Sequence, residues 1–367
     1  MKRRFLFYFV HPAKFHLFRS TINNLKNKGY DVDIIITGRD ILEELVCNEG
    51  WEYKKIFPNG RKIRGIHVWL SAIIYSFLTI IKLLQIILFK KYDMYITDDL
   101  LTFIGRIKNI PSIFVTDDDL NAVPESIILM ISANYILAPK ICDLGKYNNK
   151  KLGYSGYKAL FHLHPNHFIP NKSKIPKELV NQDYFFIRVV SPTSTHDVGK
   201  KGINNDVLRK IIHKLLPFGK VVLNSERKLP DDLSKYELDF RKNDISHIIN
   251  FSKIFIGDST TMCAEAAVLG VPTIEFDDWY SDFKQYDDFN EKYKLIFGFD
   301  TKQEEIMYAK IELLLNTKNL KQIFQSRRKK MLEDMIDTSA FLIWILSDYP
   351  KSIKAFFSNK SIQQKFK

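Results

Sequence analysis

Residues 254–276, IFIGDSTTMCAEAAVLGVPTIEF, constrain the fold of this chain more than any other stretch. An apolar run stops at Gly257-Asp258, a Ser-Thr-Thr triplet follows, and an Ala/Leu-rich segment over 262–269 is closed by Gly270 and Val271-Pro272. The pattern predicts strand, tight turn, short helix, turn and strand, the unit from which parallel α/β sheets are built. Ser259, Thr260 and Thr261 then stand at a helix N-terminus. Unpaired backbone N–H groups and the positive end of the helix dipole suit that turn to a diphosphate or another anion. Glu265, one turn further in, is placed to accept hydrogen bonds from a ribose diol beside the turn. Taken alone, the segment is more economically a Ser/Thr-capped helix, and the rest of the chain has to decide.

At 367 residues with 46% hydrophobic content, the chain is long for one core and can bury two. A net charge of +13 fits nucleic acid, anionic lipid or a phosphorylated substrate. No zinc finger, RNA-recognition signature or basic heptad accompanies that charge, so nucleic acid is not an expected partner. Cys47, Cys142 and Cys263 are scattered and odd in number, which speaks against a disulfide framework and a structural zinc site and points to a reducing cytoplasm. The start, MKRRFLFYFVHP, lacks a small-residue cleavage site and reads as a first strand rather than a signal peptide.

Strand, helix and strand over 5–10, 15–28 and 33–37 form a second βαβ pattern, with His11, Lys14 and His16 beyond the carboxyl end of its first strand. Each histidine is as readily a helix cap or a satisfied partly buried group as a functional one. Residues 69–89 are almost continuously apolar, but Ser76, Thr79, Lys82 and Gln85 recur every third position. This predicts a helix packed in the domain or lying in a membrane interface rather than one spanning a bilayer. Strands over 92–97 and 112–116 end in Asp98-Asp99 and Asp117-Asp118-Asp119. Carboxylates so placed suit a general base or metal ligand, and equally a turn or cap; Asp117 and Asp119 alone make a weak metal signal. His162, His164 and His167 match no standard zinc spacing and lie in a turn-rich stretch, 153–169, that reads as the crossing between domains. The second half repeats the pattern, with strands over 184–190 and 221–223, helices over 207–216 and 303–315, and a polar tail expected to fray. Neither G-x-G-x-x-G nor G-x-x-x-x-G-K-[ST] occurs, which disfavours dinucleotide enzymes and P-loop ATPases.

In this order and spacing, FVHPAKFHLFR, SGYKALFHLHPNHF, HDVGKKG, NSERKLPDDL and GDSTTMCAEAAVLGVP resemble the prokaryotic family catalogued as domain of unknown function 354 over roughly residues 1–315. That family is similar in turn to nucleotide-sugar enzymes of GT-B fold. The resemblance implies an α/β fold of two facing Rossmann-like domains with parallel sheets and a cleft between them. Residues 1–165 would form the acceptor-side domain and 166–335 the nucleotide-sugar domain, with 336–367 returning to the first. By position, Ser259, Thr260 and Thr261 are similar to the diphosphate turn of GT-B donors and Glu265 to the ribose-binding glutamate. His247, Ser225 and Glu226 fall where the base is held, and Arg188 and His196 where donor phosphates or sugar are faced. The family tends to carry Trp-Asp-Ala before its His-Asp pair, whereas Pro192-Thr193-Ser194 and then Thr195 precede His196-Asp197 here.

The first expectation is a metal-independent glycosyltransferase of cell-surface polysaccharide synthesis. It would take a UDP-linked sugar as substrate, use no cofactor, and transfer to a glycan or lipid-linked acceptor at the inner membrane face. His11, Asp98 or Asp117 would serve as base, with Arg188 and His196 stabilising the leaving diphosphate. Lys14 and His16 would lie on the acceptor side. The alternatives are a sugar-nucleotide 2-epimerase, with Asp98, Asp117 and His196 as its acids and bases, and a catalytically silent binding or assembly protein on the same fold.

Overall fold

Alternating side chains dictate how the first sheet is buried. In β1 (Arg4–Phe9), Phe5, Phe7 and Phe9 enter one core cluster while Leu6 and Tyr8 enter the cluster on the opposite face. In β2 (Asp31–Thr37), Ile34 and Ile36 join the first and Ile35 the second. Strands buried on both faces are what a parallel sheet covered by helices requires, and each fully buried large side chain contributes roughly 1.5–3 kcal/mol.

The computed structural model describes residues 2–38, 41–58, 68–191, 200–280 and 287–367. The chain divides into two compact units, one made of Met1–His162 with Ile336–Lys367 and the other of Leu163–Met335. Unit 1 continues with α1 (Pro12–Asn27), α2 (Leu42–Asn48), β3 (Lys54–Ile56), α3 (Val68–Ile87), β4 (Met94–Thr97), α4 (Leu101–Lys108), β5 (Ser112–Val115), α5 (Ile127–Ser132), β6 (Tyr135–Pro139), β7 (Lys151–Tyr154) and the short α6 (Leu160–Leu163). Its strands run β3-β2-β1-β4-β5-β6-β7, all parallel. Strand order reverses between β1 and β4, and parallel sheets offer their ligand crevice at such a switch point.

Unit 2 comprises β8 (Tyr184–Val189), α7 (Asn205–Leu215), β9 (Lys220–Ser225), α8 (Asp231–Ser234), α9 (Ile245–Phe251), β10 (Phe255–Gly257), α10 (Thr260–Val268), β11 (Thr273–Phe276), β12 (Ile296–Phe299), α11 (Glu304–Leu315) and α12 (Leu320–Asp334). The parallel order β12-β11-β10-β8-β9 puts its switch point between β8 and β10. The strand–turn–helix–turn–strand reading of 254–276 is realised as β10, α10 and β11, and Gly270 takes the left-handed φ of +74° that ends the helix.

The chain then re-enters unit 1 as α13 (Thr338–Ser347) and α14 (Lys351–Ser358), packed in the core cluster that also holds α1 and α2. The expectation of a frayed tail is corrected. Lys360–Phe366 forms a 3-10 turn, Gln363 is buried and accepts from the Ser155 N–H at 2.7 Å, and the Phe366 ring lies 5.6 Å from Trp344. These partners are far away in sequence, so local polarity could not reveal them. Gly153 and Tyr154, read as part of a linker, are strand residues of β7. The polar stripe of α3 faces out only in part: Lys82 and Gln85 are exposed and Ser76 is half-buried. Thr79 is buried and its hydroxyl donates to the Tyr75 carbonyl at 2.6 Å, which satisfies it within the helix. Among the described residues no helix is long and apolar enough to cross a membrane.

Candidate functional site

At the switch point of unit 1, the turn after β1 leads into α1. His11 caps that helix, its Nδ1 accepting from the Ala13 N–H at 3.1 Å. With that lone pair committed, a neutral His11 carries its proton on Nε2 and is a donor rather than a base. Lys14, in the first turn of α1, places Nζ 3.0 Å from Asp117 Oδ1, and Lys158 pairs with Oδ2 of the same carboxylate. Burial alone would raise Asp117, but the charges of Lys14 and Lys158 outweigh it and hold the carboxyl well below the usual range. Burial would lower Lys14, yet Asp117 and then Asp98 keep it above the ordinary lysine value. An Asp117 this firmly ionised and doubly engaged is a poor proton acceptor, so its place among the candidate bases gives way to a positioning role for the two ammonium groups. Asp98, partly exposed after β4, is the carboxylate of the cluster left on the Lys14 side. Asp119 accepts from the Asp143 N–H and staples its loop. Among the described residues no group of three or more metal-ligating side chains could hold an ion. His16 stacks on His162, ring centroids 5.2 Å apart.

In unit 2, Arg188 in β8 pairs in register with Gly257 of β10, the residue before the Asp258 turn into α10. Asn224 and Glu226, the latter just past β9, hold the guanidinium by hydrogen bonds, while its buried Nε has no partner among the described residues. Burial lowers the Arg188 pKa, opposed by the charges of Glu226 and Asp258. Ser259 is the N-cap of α10 without a side-chain capping bond, Thr260 and Thr261 open the helix, and Glu265 is buried one turn on. Ser225 is committed elsewhere: its hydroxyl donates to the Arg227 carbonyl and accepts the Arg227 N–H, closing its own turn. His247, in α9, is buried under Phe168 at 4.7 Å, and its Nδ1 accepts from the Asn171 N–H at 3.2 Å. His196 lies outside the described residues.

Two features escaped sequence reasoning. Lys158 gave no local signal. The other is a set of buried acids behind the α10 turn, Asp258, Glu275 and Asp277. Asp258 accepts from the Val190 N–H at 2.8 Å and the Ile203 N–H at 3.1 Å. Burial nevertheless pushes it up to about 7, with Asp277 adding to the shift. Asp277 Oδ1 caps the turn at Trp279 and Tyr280, yet burial pushes this carboxyl to about 6. Glu275 is driven well above the carboxylate range by burial and then by Asp277, against a hydrogen bond from Thr260. Among the described residues, Glu275 Oε1 and Asp277 Oδ2 have no hydrogen-bond partner. The strand-end rule that singled out Asp98 and Asp117 would also have found Asp258 and Asp277.

Two parallel α/β units of this kind make a GT-B-like fold, and solved structures bear out the fold. Staphylococcus aureus MnaA with UDP matches at TM-score 0.64 and 16% identity, over 96% of this chain and 98% of that one. The UDP-GlcNAc 2-epimerase of Methanocaldococcus jannaschii, with UDP-GlcNAc and UDP, matches at 0.57 and 15%, over 90% and 99%. Spinosyn rhamnosyltransferase SpnG, with spinosyn aglycone, matches at 0.59 and 12%, over 93% and 98%. At these identities the likeness concerns the fold alone. The pattern of the family described as Protein of unknown function (DUF354) matches residues 9–340, and the chain belongs to that family. No curated protein matches the sequence.

Proposed function

We propose that this protein is an enzyme acting on a nucleotide-diphosphate sugar, and that it is a glycosyltransferase of the GT-B type in cell-surface polysaccharide synthesis. The observation that carries the reading is at the β8/β10 switch point: a buried Arg188 whose Nε has no partner among the described residues, on the strand in register with the one that leads into the α10 N-terminus, whose Ser259 makes no side-chain cap. Here the diphosphate lies against Ser259, Thr260 and Thr261, and Glu265 accepts from the ribose of a UDP-linked donor. Glu226 holds Arg188 in place. Departure of the diphosphate draws its charge compensation from Arg188 and the helix end, so this reading requires no metal or cofactor. Asp98 is the acceptor-side base, its carboxylate oriented by Lys14, with His16 lining the same side. The 2-epimerase reading is favoured by one observation, the Lys14–Asp117–Lys158 cluster. It offers ammonium groups as well as the Asp98 carboxylate for proton transfer at a sugar ring.

Thermal shift against a panel of nucleotides and nucleotide sugars without metal tests the donor site. A ligand at a hundred times its dissociation constant raises stability by about 2.7 kcal/mol. Arg188→Gln is expected to weaken the responding ligand roughly tenfold to a hundredfold, as loss of a charged hydrogen bond does. Absence of any nucleotide response in the wild type overturns the reading. Incubating the responding sugar nucleotide alone separates the chemistries: an epimerase interconverts it without acceptor, and a transferase does not.

A further inference from the structure

Unit 1 covers the two faces of its sheet unequally. One face lies under α1, α2, α13 and α14, whereas α3, α4 and α5 neighbour one another on the other. On α3, Thr79, Leu83 and Ile87 recur at i, i+4 and i+8 and are buried. The opposite flank carries Ile73 at 66% exposure and Phe77 at 65%. Phe89 just beyond α3, Ile107 on the neighbouring α4, and Ile128 and Ile131 on α5 beside α4 are also apolar and from half to almost fully exposed. Large apolar side chains exposed together on neighbouring helices are the mark of an interaction site. Its charge is one-sided: residues 68–91, 100–116 and 126–142 contain no Asp or Glu, while Lys82, Lys91 and Arg106 are exposed on these elements.

We propose that the outer face of α3, α4 and α5 docks this protein onto an anionic lipid surface, with the apolar side chains entering the headgroup boundary and the cations meeting lipid phosphates. An acid-free apolar face with a cationic rim is what partitions to such an interface. A second copy fits less well, because an isologous pairing would bring the same cations together. The docking does not depend on the nucleotide-sugar reading, since neither the surface nor its test uses that site.

The test is flotation of the full chain with vesicles of phosphatidylcholine alone or with about a third phosphatidylglycerol, the anionic fraction such a basic rim requires. Retention on the anionic vesicles that weakens with added salt is expected. The pair Phe77→Ser and Ile107→Ser should abolish it, and Lys82→Gln with Lys91→Gln should weaken it on the order of tenfold or more. Ile306→Ser with Leu313→Ser, exposed apolar positions on α11, should leave retention unchanged, and each variant is checked for folding by near-UV circular dichroism. Equal behaviour on both vesicle types, or retention indifferent to the Phe77 and Ile107 changes, overturns the proposal. So does a dimer in light scattering that those same changes dissolve, which would assign the face to a second copy.

Discussion

Both units place carboxyl groups at the ends of parallel strands, but they keep them in opposite states. In unit 1, Asp117 sits in low-dielectric surroundings with an ammonium group on each oxygen and stays ionised. In unit 2, Asp258, Glu275 and Asp277 are as deeply buried, the donors that hold them are backbone N–H groups and the Thr260 hydroxyl, and burial shifts them toward the protonated form. Hydrogen bonds from neutral groups do not replace a countercharge once water is gone. The difference is one of partner rather than depth.

Removing the partner gives the largest effect. Asp117→Ala leaves Lys14 and Lys158 facing each other without their shared anion, and breaking such a buried pair costs about 3–5 kcal/mol. A fall in the melting temperature of unit 1 on the order of 10 °C is expected. A change of only a degree or two would mean that the triad is solvated and the contrast is wrong.

The pH dependence of the two units should run in opposite directions. Asp117, held low, contributes stability that is present above the ordinary carboxylate range and is lost as pH falls through its depressed value. Lys14, held high, contributes stability lost only as pH rises beyond the ordinary lysine value. The raised acids of unit 2 bind more protons folded than unfolded, so their contribution is full below about pH 4. It declines as pH climbs through about 6 for Asp277 and about 7 for Asp258. Calorimetry between pH 4 and 8 should show the unit 2 transition moving down with rising pH while that of unit 1 holds. Asp277→Asn keeps the acceptor used by Trp279 and Tyr280 and supplies a donor beside Glu275, so it should flatten the unit 2 slope and raise its melting temperature at pH 8. A slope that survives the substitution would show that other groups set it.

The smallest effect refines the same point. Thr260→Val deletes the hydroxyl that favours ionised Glu275, so that carboxyl should move still further up. The expected loss is about 0.5–1.5 kcal/mol, in the ordinary range for a net hydrogen bond, at alkaline pH where Glu275 ionises, and nearly nothing at pH 4 where it is protonated. Equal loss at both pH values would show that the bond is made to the protonated acid instead.

Much of this was legible in the residue order because it depends on neighbours along the chain. The β10–α10–β11 passage followed from an apolar run, a Ser-Thr-Thr turn and a glycine stop, and the first βαβ unit from the alternating Phe5–Phe9 core and the turn at His11-Pro12. The strand ends placed Lys14, Asp98, Asp117 and Arg188 at plausible positions for chemistry. Their states were another matter. Whether Asp117 is a base or a locked anion depends on Lys158, some forty residues later, and whether Ser225 is available depends on how its own turn closes. The tail read as frayed because the partners that order it, Ser155 and Trp344, are distant in sequence.

The sequence by itself determined a two-part α/β chain, the periodic cores of its sheets, and the turn at residues 257–261 where an anion is favoured. Those are consequences of backbone propensity and apolar spacing, which act over a few residues. Tertiary structure alone decided which acids keep their charge, which polar groups are consumed in holding the fold, and which flank of α3 faces outward. Electrostatics and solvent exclusion act through space, and only folding sets those distances.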